Sequence, residues 1–153
     1  MILEKGNMWD VFGHTDLFLI TTNPVRRKDG AVVMGRGIAK EAKDRFPKLP
    51  YDFGRALDML HPEIDQSHVG CLGEYDNQRI GWFMVKDHWA SPAKLSIIEQ
   101  SVFYLRHGYT WPHPERYRID LNFPGIGNGK LSREEVLPLL ENLPNSVHVW
   151  EYG

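Results

Sequence analysis

Lys86 ends an apolar run in which Ile80, Trp82 and Met84 alternate with Gly81, Phe83 and Val85. An amine at the end of a buried strand can hold a phosphate as a point charge. If burial strips away its water, its pKa falls and the neutral amine becomes a nucleophile toward a sugar anomeric carbon. A lysine that merely marks where a sheet meets water fits the same pattern. Asp87 and His88 follow directly and are capable of acid–base chemistry. Neighbours on a strand point to opposite faces, however, so the three cannot all serve one site.

Glycine carries a second kind of chemistry. Gly35-Arg36-Gly37 lies between a polar loop and a helical pattern that begins at Ile38. Unpartnered N–H groups at a helix N-terminus, aided by the helix dipole, attract anions, and a missing Cβ lets a phosphate reach the main chain. Strand, polar loop, glycine pair and helix, in that order, outline a pyrophosphate cradle. A βα turn that needs small residues has the same outline. Further along, Pro124-Gly125-Ile126-Gly127-Asn128-Gly129 follows another apolar run.

Several familiar sites are excluded. Gly129-Lys130 echoes a triphosphate P-loop, but Pro124 takes its first glycine position and Leu131 stands where Ser or Thr must meet Mg²⁺. The dinucleotide fingerprint fails because Lys40 replaces its third glycine and no ribose-binding acid lies at the right distance on a strand. Seven dispersed histidines, none paired at i, i+4, and a single cysteine, Cys71, argue against metal. No GxSxG elbow is present.

The elements that must position these groups alternate between strand and helix. Strands are expected over residues 2–5, 16–22, 69–75, 79–86, 117–123 and 147–152. Ile38, Ala42 and Phe46 share one helix face, and Pro47 ends that helix. A second helix starts at Leu49-Pro50, buries Tyr51, Phe53, Leu57 and Leu60, and is closed by His61-Pro62. A third runs over about residues 92–107 with Gly108 as its stop, and residues 109–114 form a proline-broken connector. Ser132 and Glu135 make a capping box for the last helix, whose core stripe is Val136, Leu139, Leu140 and Leu143, with Pro138 inside it. The class is α/β, a sheet with helices on both faces. Ligands of such sheets gather beyond strand carboxyl ends, here at Asn23, at Lys86 and at residues 125–129.

Composition is permissive. A chain of 153 residues suits one domain over 1–153, and 42% hydrophobic with 25% charged residues is ordinary for a globular protein. A net charge of −2 gives no basic excess of the kind general nucleic-acid binders carry. Arg26, Arg27 and Lys28 lie in the 24–33 loop, where they suit either anion steering or a solvated loop tip. One cysteine, no leader-like apolar run and no membrane-length window lead to the expectation of a cytoplasmic protein.

Taken together, Lys5-Gly6-Asn7, Thr22-Asn23-Pro24, Met34-Gly35-Arg36-Gly37-Ile38-Ala39 and the 124–129 run resemble a macro domain, the ADP-ribose-binding module, over nearly the whole chain. The branch of terminal ADP-ribose glycohydrolases and DNA ADP-ribosyl antitoxins carries a similar MGxGIA segment and Pro-x-Ile-Gly-x-Gly loop. The resemblance implies a three-layer α/β/α fold with a central mixed sheet and no cofactor or metal. ADP-ribose or an ADP-ribosylated substrate is the implied partner, with nucleic acid only as a modified substrate and no membrane. By the same resemblance Asn7 and Met8 meet adenine and Trp150 packs against it. Asn23 reaches the distal ribose, and Gly35, Gly37 and Ile38 line the diphosphate. Gly125, Ile126, Gly127, Asn128 and Gly129 close over diphosphate and ribose, and Lys86 falls where that branch keeps its catalytic lysine.

Three departures stand out. Asn7 replaces the usual aspartate, the 24–33 loop is longer than in that branch, and Gly129-Lys130-Leu131-Ser132 lacks the acid expected after the second glycine loop. The expected activity is hydrolysis at the distal ribose, of a link to a macromolecule or of ADP-ribose-1″-phosphate. The alternative is a non-catalytic ADP-ribose reader or sequestering module, motivated by the missing acid. An α/β domain with no nucleotide ligand would leave the agreement among these loops unexplained.

Overall fold

The computed structural model describes residues 1–60, 68–108 and 113–152. Six strands, β1 (Ile2–Lys5), β2 (Leu17–Thr22), β3 (Val69–Tyr75), β4 (Gln78–Met84), β5 (Ile119–Asn122) and β6 (Val147–Glu151), form one sheet in the order β1-β6-β5-β2-β4-β3. All pairings are parallel except β3 with β4. That hairpin turns on Asp76 and Asn77, both at positive φ (50° and 64°), as a two-residue turn matched to strand twist requires.

Among the described residues four α-helices cover the two faces: α1 (Gly37–Arg45), α2 (Leu49–Asp58), α3 (Leu95–Arg106) and α4 (Arg133–Leu140). The side-chain alternation of β2 sorts the core. Leu17 and Leu19 pack with Ile98, Val102 and Leu105 of α3 and with Val136 and Leu140 of α4. Phe18 and Ile20 pack on the other side with Ala39, Ala42, Phe53 and Leu57 of α1 and α2. All four β2 side chains are buried, each contributing about 1.5–3 kcal/mol of transfer free energy. The result is the expected three-layer α/β/α architecture with a mixed sheet. No described helix is long and apolar enough to cross a membrane.

Several boundaries move for identifiable reasons. The third helix begins at Leu95 rather than near Pro92, because the chain before it is bonded elsewhere. Ala93 N–H donates to the Gly129 carbonyl (2.9 Å) and Lys94 N–H to the Val85 carbonyl (2.9 Å). β4 ends at Met84, so Lys86 lies two residues past the strand. β5 is shorter than expected, because Tyr117 is taken up in closing the 3₁₀ turn Pro114–Arg116. Tyr51, expected in the core, is exposed, and its hydroxyl donates to Asp29 (3.0 Å). Leu143 is buried but lies beyond α4. The capping box forms as expected, with Ser132 Oγ accepting from Glu135 N–H and the Glu135 carboxylate accepting from Ser132 N–H. The His61-Pro62 closure and residues 109–112 of the connector lie outside the described residues.

Candidate functional site

Because β1, β6, β5, β2 and β4 run parallel, their carboxyl ends share one edge of the sheet. That edge holds a cleft of two lobes, of about 690 and 280 Å³, in the range of small-molecule sites. The lobes share the walls Gly37, Ile38, Asn122, Phe123, Ile126 and Asn128, so they form one continuous groove. Gly35, Gly125, Gly129, Asn23 and Lys86 line the larger lobe. Asn7, Met8, Gly127 and Trp150 line the smaller one. Lys86, Asn23 and every residue that the resemblance assigned to the ligand are therefore on this groove, whereas Asp87 and His88 are not.

Two glycine loops face each other across it. A methyl group on Gly37 would stand 3.6 Å from Asn128 Nδ2, which measures how closely the loops approach. Gly37 opens α1 at φ +58°, and Arg36 before it makes no side-chain cap. The amides of that first turn are left for a ligand. In the facing loop Gly125, Gly127 and Lys130 all adopt positive φ. Leu131 N–H donates to the Gly125 carbonyl (2.9 Å) and Lys130 N–H to the Gly127 carbonyl (2.9 Å), closing the loop on itself. The Ala93 bond to Gly129 then fastens it to the segment that leads from Lys86 into α3.

Lys86 is half-buried and pairs with no carboxylate among the described residues. Its pKa is lowered from the ordinary lysine value, first by burial and then by the like charges of Arg36 and Lys130. All three influences favour the neutral amine, the form a nucleophile needs. The next two residues turn away. Asp87 is engaged by Lys94 (2.5 Å), and His88 Nδ1 accepts from Ala90 N–H (3.1 Å) while its ring stacks on Trp89.

Among the described residues, the larger lobe is lined by Arg26, Arg27, Lys28, Arg36 and Lys86 and by no acidic residue. In a chain with 20 acids and 18 lysines and arginines, such segregation makes a local positive field. Arg26 reaches Asp58 of α2 (2.8 Å), tying the loop to that helix, and Arg27 reaches Asp29 within the loop (3.1 Å). Asn23, buried at 6% exposure, ties the base of that loop: its Nδ2 donates to the Val33 carbonyl (3.0 Å) and its Oδ1 accepts from Val25 N–H (2.8 Å).

In the smaller lobe Asn7 Oδ1 accepts from Trp9 N–H (3.0 Å), capping the 3₁₀ turn Met8–Val11. Trp150 is held by its indole N–H, which donates to Asp120 (2.7 Å), a fully buried carboxylate that also accepts two bonds from Arg118 (3.0 and 3.1 Å). Sequence reasoning missed Arg36 as a wall charge, Trp89 at the rim, Asn122 at the β5 end, and Glu41 in the smaller lobe. Glu41 carries a signal that was available: it lies three residues after Ile38, on the same helix face.

No family model matches the chain. It is 29% identical over 134 residues to a protein of Mycobacterium tuberculosis (strain ATCC 25618 / H37Rv) named DNA ADP-ribosyl glycohydrolase; the match takes in 82% of this chain and 36% of that protein. The chain thus spans about a third of the length of the curated relatives it matches. Among solved structures, the macrodomain of Thermus aquaticus DarG superposes with a TM-score of 0.70 at 24% identity, covering 99% of this chain and 97% of that one. Thermosipho africanus DarTG in complex with ADP-ribose superposes with a TM-score of 0.67 at 20% identity, covering 98% of this chain and 41% of that one. With its sheet order, its two opposed glycine loops and these superpositions over nearly its full length, the chain has the macrodomain fold.

Proposed function

We propose that the groove binds ADP-ribose and that Lys86 cleaves the bond joining its distal ribose to a nucleic acid. The observation that carries this reading is a half-buried lysine with a lowered pKa, unpaired among the described residues, between two glycine loops. The name of the mycobacterial relative and the ADP-ribose in the Thermosipho complex support the choice of ligand. The acid-free wall supports a polyanionic acceptor, because nucleic acid adds phosphates beyond the two of ADP-ribose.

In this scheme Trp150 and Asn7 flank the base, the amides around Gly37 and Gly127 take the diphosphate, and Asn23 and Lys86 flank the distal ribose. The neutral Lys86 amine forms a bond to the anomeric carbon as the bond to the acceptor breaks, and the acceptor leaves with the proton the amine gives up. Water then displaces the amine, releasing ADP-ribose and restoring Lys86. The run Gly129-Lys130-Leu131-Ser132, with no acid where the resembled branch has one after its second glycine loop, favours a second reading in which the protein binds ADP-ribose without turnover.

The test compares wild type with Lys86→Ala on an ADP-ribosylated oligonucleotide, an ADP-ribosylated protein and ADP-ribose-1″-phosphate. The expected result is preferential cleavage of the oligonucleotide, lost by at least about 100-fold in the variant, with ADP-ribose affinity retained. Unchanged turnover in Lys86→Ala would refute the lysine's role. Tight ADP-ribose binding with no product from any of the three would leave the reader.

A further inference from the structure

With the base in the smaller lobe, the larger lobe has only phosphate and the distal ribose of ADP-ribose to hold. Yet it is by far the roomier of the two, about 690 Å³ against 280 Å³. Trp89, Arg26, Arg27 and Lys28 line the larger lobe and not the smaller, and ADP-ribose as placed above engages none of them.

Trp89 is an aromatic surface kept in water. Trp9 and Trp82 are buried and Trp150 is half-buried, whereas Trp89 is 49% exposed and forgoes the free energy its burial would bring. Its turn is nevertheless held. Ser91 N–H donates to the His88 carbonyl (3.1 Å), and the His88 ring stacks on the indole with centroids 5.5 Å apart. Just beyond, the Ala93 and Lys94 amides are bonded to Gly129 and Val85. A ring fixed in this way loses little conformational entropy when a ligand stacks on it.

The cations stand on a second held feature. Arg27 N–H donates to the Ala31 carbonyl (2.7 Å), Val33 N–H to the Val25 carbonyl (2.9 Å), and Arg26 bridges Val32, so residues 25–33 form a short hairpin. Val32 N–H donates to the Pro50 carbonyl (3.0 Å), and the Gly30 carbonyl packs so closely on Gly54 of α2 that a Cβ there has no room. Arg26 and Arg27 are drawn to Asp58 and Asp29, but the exposed Lys28 makes no ion pair among the described residues. One lobe therefore combines a fixed, exposed ring with an uncommitted cation. A nucleic acid joined to the distal ribose brings the complement, since every base has a face to stack and every linkage a phosphate. A polypeptide acceptor has no such regular pairing of ring and anion.

We propose that the outer end of the larger lobe is a subsite for the acceptor strand, where Trp89 stacks on a base next to the modified nucleotide and Lys28 meets a phosphate of that strand. The proposal rests on the ADP-ribose reading above and adds to it the residues that distinguish an oligonucleotide from a single modified nucleotide.

Calorimetric titration in the Lys86→Ala background, which keeps the ligands intact, tests it with three probes: ADP-ribose, an ADP-ribosylated mononucleotide, and a short single strand with the same modification at an internal position. Stacking of one neighbouring base predicts that the strand binds about 5- to 150-fold more tightly than the mononucleotide. Adding Trp89→Ala should abolish most of that gain and leave the affinities for ADP-ribose and the mononucleotide unchanged. Adding Lys28→Gln should lower the slope of log affinity against log salt by about 0.7 for the strand alone. A strand bound no more tightly than the mononucleotide overturns the proposal without any further variant having to fold, and leaves the ADP-ribose reading intact. Equal weakening of all three probes by Trp89→Ala also overturns it, because the indole then only braces the wall. An unchanged salt slope in Lys28→Gln overturns the part given to the lysine. Failure of the wild type to bind ADP-ribose removes both this subsite and the reading beneath it.

Discussion

The second glycine loop shapes the groove only if it is pressed hard onto the core, and Gly125 is where that pressure is measurable. Gly125 has φ +81°, and a Cβ on it would lie 2.7 Å from Ile98 Cδ1 and 3.0 Å from Leu131 Cδ1. Ile98 is fully buried in α3 and cannot swing into solvent. Gly125→Ala therefore carries two costs: about 1–2 kcal/mol for a left-handed backbone with a Cβ, and about 1–3 kcal/mol for overpacking. Gly127→Ala is the internal control, since its φ is +64° but no atom lies within 4 Å of the added methyl. Only the backbone cost, about 1–2 kcal/mol, applies there. Urea unfolding followed by tryptophan fluorescence gives both numbers, provided the slope is unchanged so that midpoints compare directly. Ile98→Val removes the very methyl in the way. Added to Gly125→Ala it should cost less than its own 0.5–1.5 kcal/mol, roughly, or even restore stability, a non-additivity expected of touching side chains. Equal losses for Gly125→Ala and Gly127→Ala, or strict additivity with Ile98→Val, would refute the packing of this loop against α3.

Two further outcomes follow from charge. Attack requires the neutral Lys86 amine, so turnover should rise as pH climbs through its lowered pKa and level off above it. Lys130→Gln removes one of the like charges that lower it, raising that pKa and moving the rise to higher pH; an unmoved profile would separate Lys86 titration from the rate. Asp120→Ala strips the buried partner from Arg118 and from the Trp150 indole. Because Arg118 is partly exposed and regains water, the expected loss is about 1–3 kcal/mol in urea unfolding rather than that of a fully buried pair. ADP-ribose binding should weaken with it.

The core was legible because its signals are local and repeated. Leu17 to Ile20 read as a strand apolar on both faces, and both faces are covered; Ser132 and Glu135 read as a capping box, and both of its bonds form. The chemistry-bearing glycines were legible for the same reason, since each pair sits at a strand-to-helix passage. What was not legible depends on distance in space. Arg26, Arg27 and Lys28 read equally well as a solvated loop tip, and nothing in their own neighbourhood says that they share a cavity wall with Lys86. The start of α3 was displaced by two main-chain bonds, one of them from Ala93 to Gly129, a residue that no window around Pro92 contains. Glu41 escaped because helix periodicity was used to find apolar faces, and a lone carboxylate three residues after Ile38 adds nothing to such a pattern.

Lys130 joins two properties of the groove that pull in opposite directions. An acid after the second glycine loop would stabilise the Lys86 ammonium and hold its pKa up; a lysine there pushes it down. If Lys86 attacks the anomeric carbon, the substitution enlarges the share of amine ready to do so near neutral pH. The same substitution removes the group best suited to drawing a proton from the water that must later displace the amine. No acid lines the larger lobe among the described residues, which leaves a ribose hydroxyl or bulk water to take that proton. Attack is made easier and release harder by one residue. On the proposed mechanism, the balance between an enzyme and a reader of ADP-ribose therefore turns on the second half of the reaction.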